Sequence, residues 1–142
     1  MKNEPVLADT SFLVALLNKK DVHHPRAIKL MQILKKTSRK VVITDVVVNE
    51  TLGVLKRRLK EKNGRDFGVL ARKVLQLWEK ERVFFYLYVS SSWEEITKLV
   101  LESDGELNFH DALLVVGARK TGIEHIATFD QDFKDYLRLV EI

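Results

Sequence analysis

Four acidic residues in this sequence lie where a parallel α/β sheet would bring them to one edge, namely Asp9, Glu50, Asp111 and Asp130. Asp9 and Asp130 each follow a short apolar run that has the character of a buried strand, whereas Glu50 and Asp111 lie early in stretches with helical spacing. Open α/β sheets bind their ligands outside the carboxyl ends of the strands, where strands give way to helices. The four acids are therefore candidates for a single site.

Each acid also has a purely structural interpretation when it is taken alone. Asp9 would cap a helix that begins near Thr10, since Asp is a favoured N-cap residue. Asp111 would be a helix-start charge that interacts with the helix dipole, and Asp130 would be a turn residue. Glu50 is harder to explain in this way because it lies beyond the first helical turn. The shared context of the four acids is what favours a site.

Carboxylates that pack together repel one another unless protons or cations neutralise them. The chain has no Cys, and its four His include no pair that would suit a zinc site. Oxygen ligands alone favour Mg²⁺ or Mn²⁺ over zinc. Metal ions of this kind activate a water molecule and stabilise the leaving oxygen in phosphodiester hydrolysis. The acids thus predict metal-assisted phosphodiester cleavage, with one or two bound ions.

The remaining sequence predicts the elements that must position these acids. Hydrophobic periodicity and β-branched runs indicate strands at 6–8, 41–44, 83–89, 125–128 and 137–141 and helices at about 10–17, 27–36, 46–62, 66–81, 92–102 and 109–120. Ser92 and Glu95 have the spacing of a capping box, Asn108 is expected to cap the last long helix, and Asn63-Gly64 is expected to end the third. Strands that alternate with helices imply a parallel sheet covered on both faces. The expected fold class is α/β, a Rossmann-like three-layer α/β/α sandwich with a central parallel sheet.

Length and composition restrict the class of protein. A chain of 142 residues with 46% hydrophobic and 31% charged residues suits one domain, expected over residues 1–142, with a buried core and a densely charged surface. The absence of Cys excludes a disulfide scaffold and thiol catalysis, and it fits a reducing compartment, so we expect the cytoplasm. No apolar run approaches the ~20 residues of a membrane span. The net charge of +4 permits an anionic partner without requiring one.

Four motifs carry a resemblance to a known family. They are VLADTSFLVALL at the start, TDVVVNE in the second strand–helix unit, FHDALLVVGARKTG in the last long helix and IATFDQDF near the end. Any one motif is a weak signal, but the ordered set is specific and covers essentially the whole chain. The sequence resembles the PIN-domain ribonucleases, especially the small members that act as VapC-type toxins of toxin–antitoxin pairs.

The resemblance implies a metal-dependent endoribonuclease that hydrolyses RNA and leaves a 5′-phosphate and a 3′-hydroxyl. It implies that the catalytic residues, which bind Mg²⁺ or Mn²⁺, are Asp9, Glu50, Asp111 and Asp130. It also implies that the hydroxyls of Thr10 or Ser11 and of Thr128 support these ligands or contact phosphate, and it leaves Asp132 open as a fifth acid. The expected partners are an RNA substrate, a second copy of the chain in a homodimer, and a small antitoxin whose basic side chain would block the acidic site.

Arg57 has two interpretations, and the histidines are not expected to bind metal. Arg57 lies seven residues after the acid of the same helix, and so about 20° from the same face, where it would reach a bound phosphate. Alternatively it would pair with Glu61 at i, i+4 spacing. His23 and His24 are expected to be surface or helix-start residues. His110 would orient the neighbouring carboxylate without being a metal ligand.

Two other functions stay open at the level of the sequence. A non-catalytic RNA-binding or scaffold module of the same fold would bind RNA without metal and would never cut it. A phosphotransfer or phosphatase domain with a similar sheet would use Asp9 as its nucleophile. Against that alternative, no second Asp follows two residues after Asp9, and no clear Lys follows the fourth predicted strand.

Overall fold

A parallel sheet forms the centre of the molecule. The computed structural model describes residues 4–59 and 65–142. Within these residues the sheet has the strand order β2-β1-β3-β4 with every pair parallel, and its strands are β1 Val6–Ala8, β2 Val41–Val42, β3 His125–Ala127 and β4 Arg138–Leu139. The residues of β1 are completely buried, as a central parallel strand requires.

Helices follow the strands and cover both faces of the sheet. Their bounds among the described residues are α1 Thr10–Leu17, α2 His24–Lys36, α3 Asp45–Leu59, α4 Arg65–Glu79, α5 Tyr88–Ser91, α6 Trp93–Glu102 and α7 Phe109–Thr121, with a 3₁₀ turn at Gln131–Phe133. No helix in the described ranges combines the length and the apolar character that a bilayer crossing needs.

Strand β1 divides the apolar core into two clusters because its side chains alternate between the faces of the sheet. Val6 and Ala8 pack with residues of α1 and α2, whereas Leu7 packs with residues of α3, α6 and α7. Ala127 and Ile126 of β3 divide in the same way. This arrangement confirms the predicted three-layer α/β/α sandwich with a central parallel sheet.

The strand predicted over 83–89 is wrong. Val83 forms only an isolated parallel bridge with Thr44, and the segment from Tyr88 onward is helical. The cause is a side chain. The carboxylate of Asp45 accepts the backbone N–H groups of Phe85 at 2.6 Å and of residue 86 at 3.3 Å, so donors that a strand would use in a ladder are already bound.

The capping box predicted at Ser92 is also wrong. Ser92 occupies the N-cap position of α6, but its side chain makes no capping hydrogen bond, and its buried Oγ has no partner in the described part of the chain. The preceding helix α5 explains this, because the Ser92 N–H already donates to Tyr88 O and the residue lacks the extended conformation of a typical N-cap.

The N-terminal cap predicted for α7 is confirmed. Asn108 and Asp111 form a reciprocal capping box, and Gly122 ends the helix in the left-handed conformation with φ of 74°. The helix end predicted at Asn63-Gly64 lies outside the described residues.

The buried aromatic ring of Phe85 fixes the position of α7. A Cβ placed on Gly117 would lie 2.4 Å from Cδ2 of Phe85, whereas a Cβ on Gly68 of α4 would be 3.7 Å from the flexible Arg72 guanidinium. Gly117 therefore provides the surface on which the ring packs, although Gly disfavours a helix interior.

Replacing Gly117 by Ala should lower the free energy of unfolding by roughly 1–3 kcal/mol, because the added methyl displaces Phe85. The matched substitution Gly68→Ala should raise it by up to about 1 kcal/mol through helix propensity alone. Urea denaturation of both variants measures the difference. Equal stabilisation by the two substitutions would contradict the close contact between the ring and Gly117.

Candidate active site

Asp9 lies at the carboxyl end of the central strand and is 5% exposed. It occupies the N-cap position of α1, but its side chain makes no capping hydrogen bond. Instead, Oδ2 accepts hydrogen bonds from Thr128 Oγ1 at 2.6 Å and Ser11 Oγ at 3.1 Å. Burial raises the pKa of Asp9 and the charge of Asp130 acts in the same direction, whereas the two hydroxyls oppose the rise. The carboxylate is thus held toward the sheet edge and does not cap the helix.

The two hydroxyls that bind Asp9 are themselves anchored to the loop after β3. Ser11 Oγ accepts the backbone N–H of Phe129 at 3.0 Å, and Thr128 Oγ1 accepts that of Asp130 at 3.0 Å. The two hydroxyl oxygens are 3.1 Å apart. The strand ends of β1 and β3 are therefore joined by side chains as well as by the ladder.

Glu50 approaches the same edge from the second turn of α3. Its Oε1 accepts a hydrogen bond from Thr10 Oγ1 at 3.5 Å, which links α3 to the first turn of α1. Burial of the carboxyl, followed by the charge of Asp9, raises the pKa of Glu50 to about 7. Thr10 acts against this rise.

Asp111 both caps a helix and lies near the other acids of the site. Its Oδ2 accepts the backbone N–H of Asn108 at 3.1 Å, which completes the capping box of α7. Burial raises its pKa to about 7, and the charges of the three acids Asp9, Glu50 and Asp130 contribute further. The helix-start interpretation and the site interpretation both describe this residue.

Asp130 begins the 3₁₀ turn, where its Oδ1 accepts the backbone N–H of Asp132 at 2.9 Å. Its charge acts on both Asp9 and Asp111. Asp132 is exposed, and the charge of Asp130 is the main cause of its raised pKa. The structure thus places Asp132 at the solvent-exposed rim, beside Asp130.

We call Asp9, Glu50, Asp111 and Asp130 the acidic quartet. Charges of quartet members contribute to the raised pKa values of Asp9, Glu50 and Asp111, and all the donors of the quartet are oxygens, which suits a hard divalent cation. Among residues 4–59 and 65–142, however, no group of three acidic or imidazole side chains stands ready to hold a metal ion. The quartet therefore fits a divalent cation in charge and donor chemistry without forming a closed set of ligands.

A hydrogen-bonded group that sequence reasoning missed lies beside the quartet. The hydroxyl of Tyr86 accepts a hydrogen bond from Asn49 Nδ2 at 3.0 Å and lies 3.4 Å from His110 Nε2. Burial raises the pKa of Tyr86. The hydrogen bond from Asn49 opposes this rise, and the charge of Glu50 adds to it. His110 therefore contacts Tyr86, where we expected it to orient the neighbouring carboxylate. The available signal was that Asn49 and His110 each adjoin a quartet acid in sequence.

Arg57 is exposed and runs back along its own helix, where its Nη1 is 3.6 Å from the place that a Cβ on Gly53 would occupy. Its alternative partner, Glu61, lies outside the described residues. The neighbouring Arg58 instead forms an ion pair with Asp21 of the loop after α1.

Comparisons with known proteins agree with this arrangement. Residues 6–139 match the family model of the PIN domain. The crystal structure of VapC20 from Mycobacterium tuberculosis, described as a toxin that cleaves the sarcin-ricin loop, matches with a TM-score of 0.71 and 29% sequence identity, over 96% of this chain and 98% of that one. No curated protein matches the sequence significantly.

Burial of the quartet carboxyls, reinforced by repulsion between them, should make the stability of the metal-free protein depend on pH. Glu50 and Asp111 have pKa values of about 7 in the folded state, so there they hold protons that the unfolded chain releases above pH ~4. The folded state then binds more protons, and the free energy of unfolding decreases as the pH rises from about 4 to about 7. In excess chelator at pH 8, Asp111→Asn should therefore melt several degrees higher than the wild type, on a scale of roughly 2–4 °C per kcal/mol.

The gain from Asp111→Asn should disappear near pH 4, where the wild-type carboxyl is already neutral. The control Asp135→Asn removes an exposed acid outside the quartet and should change the melting temperature little at either pH. Thermal unfolding followed by circular dichroism measures both. An Asp111→Asn protein that is less stable than the wild type at pH 8 would contradict a cost of ionising the buried Asp111 carboxyl beside its acidic neighbours.

Proposed function

The chain belongs to the PIN domain family, and on that premise we propose that it is a metal-dependent endoribonuclease whose catalytic residues are Asp9, Glu50, Asp111 and Asp130. The observation that supports this most strongly is the meeting of these four acids, from four separate segments, at the carboxyl edge of the sheet. The similar protein VapC20 is described as cleaving the sarcin-ricin loop. We propose that this chain likewise hydrolyses phosphodiester bonds of RNA.

We propose that the quartet binds Mg²⁺ or Mn²⁺, which would supply a Lewis acid and a water molecule of lowered pKa. The chain's own residues orient the ligands. Thr128 and Ser11 hold one oxygen of Asp9, and Thr10 holds one oxygen of Glu50. Hydrogen bonds of this kind fix ligand orientation at metal sites.

Charge on the surrounding surface supports an RNA substrate. The last turn of α3, the helix that carries Glu50, bears Lys56, Arg57 and Arg58, and Arg58 pairs with Asp21 of the loop after α1. Basic side chains of this kind contact the phosphate backbone of nucleic acids regardless of sequence. The proposed site therefore combines an acidic centre with basic residues farther along one of the helices that form it.

We further propose the role and the partners of a VapC-type toxin. These are a homodimeric state and a small antitoxin that places a basic side chain against the quartet, with action on RNA in the cytoplasm. Exposed apolar side chains around α5 and α6, Leu87, Trp93 and Leu101, offer surface for a second copy.

Asp9→Asn and Asp111→Asn should each lower the rate of RNA cleavage by at least about 100-fold, because even residues that merely orient metal ligands typically contribute 10–100-fold. Thr128→Val should lower it by about 10–100-fold, and Asp135→Asn should leave it unchanged. End-labelled single-stranded RNA with Mg²⁺ or Mn²⁺ measures the rates, and excess chelator should stop cleavage. Wild-type protein that binds RNA equally well with and without metal, and never cuts it, would select the non-catalytic RNA-binding module instead.

Expression of the wild-type chain in a bacterial host should arrest growth, because an unrestrained endoribonuclease destroys essential RNA. The Asp9→Asn chain, expressed to the same level, should not arrest growth. Growth curves after induction, with protein levels measured by immunoblot, compare the two. Normal growth at high levels of active wild-type enzyme would indicate a ribonuclease that is not a toxin.

A further inference from the structure

A cleft of about 600 Å³ opens directly beside the acidic quartet. One wall begins at Thr10 and Ser11, which bind quartet carboxylates, and continues along α1 through Val14 to Asn18. These positions are three to four residues apart and so share one face of the helix. The cleft is therefore continuous with the candidate active site.

The opposite wall belongs to α3. Val54 and Arg58 lie four and eight residues after Glu50, and so on the same face of that helix, and Leu59 lies next to them. Val14 and Leu59 are buried, so the floor of the cleft is apolar. A flat apolar group that entered from the quartet would contact aliphatic side chains of both helices.

The loop after α1 closes the far end of the cleft and brings positive charge to it. Asp21 accepts the backbone N–H of His23 at 2.8 Å through Oδ1 and forms an ion pair with Arg58 through Oδ2. The Asp21 side chain is 7% exposed, whereas that of Arg58 is 52% exposed. A buried carboxylate thus holds the guanidinium of Arg58 at this far end, where Lys20 also lines the cleft.

His23 connects this end to the loop that carries Asp130. Its ring stacks on Phe129 with centroids 4.9 Å apart and planes at 22°. Phe129 in turn donates its backbone N–H to Ser11. The cleft is therefore bounded by elements that the hydrogen bonds of Asp9 already hold in place.

On the premise that the protein is a ribonuclease, we propose that this cleft binds the base of the nucleotide adjacent to the scissile phosphate and so determines base preference. The volume lies in the range of small-molecule pockets, about 300–1,000 Å³. Sequence-specific recognition of RNA targets unstacked bases, and single-strand sites combine a basic groove with apolar surfaces for bases. The cleft offers both, next to carboxylates suited to phosphodiester chemistry.

Asn18 is the residue placed to read the edge of the base. Its Oδ1 accepts the backbone N–H of Lys20 at 3.1 Å, which fixes the plane of the amide. Asn18 lines the cleft, and its Nδ2 can donate a hydrogen bond to an acceptor atom of a base. The basic residues Arg58 and Lys20 favour a nucleotide as the occupant. They would repel an antitoxin segment that carries a basic side chain toward the acidic quartet.

Two changes test the proposal. A substitution in the protein fills the cleft, and an abasic nucleotide in the RNA removes the base. Val54→Trp occupies the apolar wall, and Val69→Trp makes the same change at an exposed position of α4 that does not line the cleft. Each protein cuts a mapped single-stranded RNA and versions of it that carry one abasic nucleotide beside the scissile bond. In the wild type and in Val69→Trp, loss of the base on one side should lower kcat/KM about tenfold, mainly through KM. In Val54→Trp the intact RNA should already show this loss, and removal of the base should add none.

The variant Asn18→Asp keeps the shape of the side chain and tests the same subsite if Val54→Trp does not fold. It replaces a donor by an acceptor and should change which base is preferred at that one position. An abasic penalty that is the same in Val54→Trp as in the wild type, or an unchanged base preference in Asn18→Asp, would overturn the proposal. So would a cleft substitution that abolishes binding of a protein partner while RNA cleavage and its base preference stay as in the wild type.

Failure of the proposed function can be recognised separately. If the wild type cuts no RNA, fluorescence anisotropy of the intact and abasic oligonucleotides on the Asp111→Asn protein decides the question of the cleft. An affinity about tenfold higher for the intact RNA supports the base subsite without catalysis. Equal affinity for the two overturns it.

Discussion

The buried carboxylate of Asp9 is the constraint on which the rest of the site depends. A charged group that is 5% exposed costs several kcal/mol unless hydrogen bonds or a cation compensate it. Thr128 and Ser11 supply those hydrogen bonds, and the ladder brings them there. Ala8 pairs with Ala127, and Asp9 N–H donates to Ala127 O, so Thr128, the residue that follows β3, lies against the carboxylate. A slip of one residue would replace the hydroxyl of Thr128 by an apolar side chain.

The other acids tolerate their mutual repulsion because each is also held locally. Asp111 completes the capping box of α7, Asp130 begins the 3₁₀ turn, and Glu50 is bound by Thr10. Each hydrogen bond makes it costly for the side chain to turn away from its neighbours. The fold thus maintains an arrangement of like charges that is unfavourable in itself and that a divalent cation would relieve.

Local patterns predicted what local physics controls. The completely apolar segment of β1 and the Asn108 cap appear in the structure as expected, and with them the layers of the fold. The segment 83–89 did not follow its β-branched and aromatic pattern, because Asp45, some 40 residues earlier, binds its backbone donors. Contacts of this kind are set by tertiary packing and leave no periodic signal in the sequence.

The positions of the basic side chains also depend on tertiary contacts that the sequence pattern does not reveal. Helical geometry placed Arg57 near the face of Glu50, but the guanidinium that lines the cleft belongs to Arg58, since its partner Asp21 comes from a loop that the helix wheel does not include. The ion pair between Asp21 and Arg58 also restrains the distance between α3 and the end of α1. Two of the four acids belong to these helices, since Asp9 precedes the first turn of α1 and Glu50 lies in the second turn of α3, and the following turns of the same two helices line the cleft. Because the Asp21–Arg58 pair and the Thr10–Glu50 bond tie these helices together at two levels, the spacing that positions the carboxylates also determines the width available to a base. Chemistry and recognition are therefore coupled through the separation of two helices.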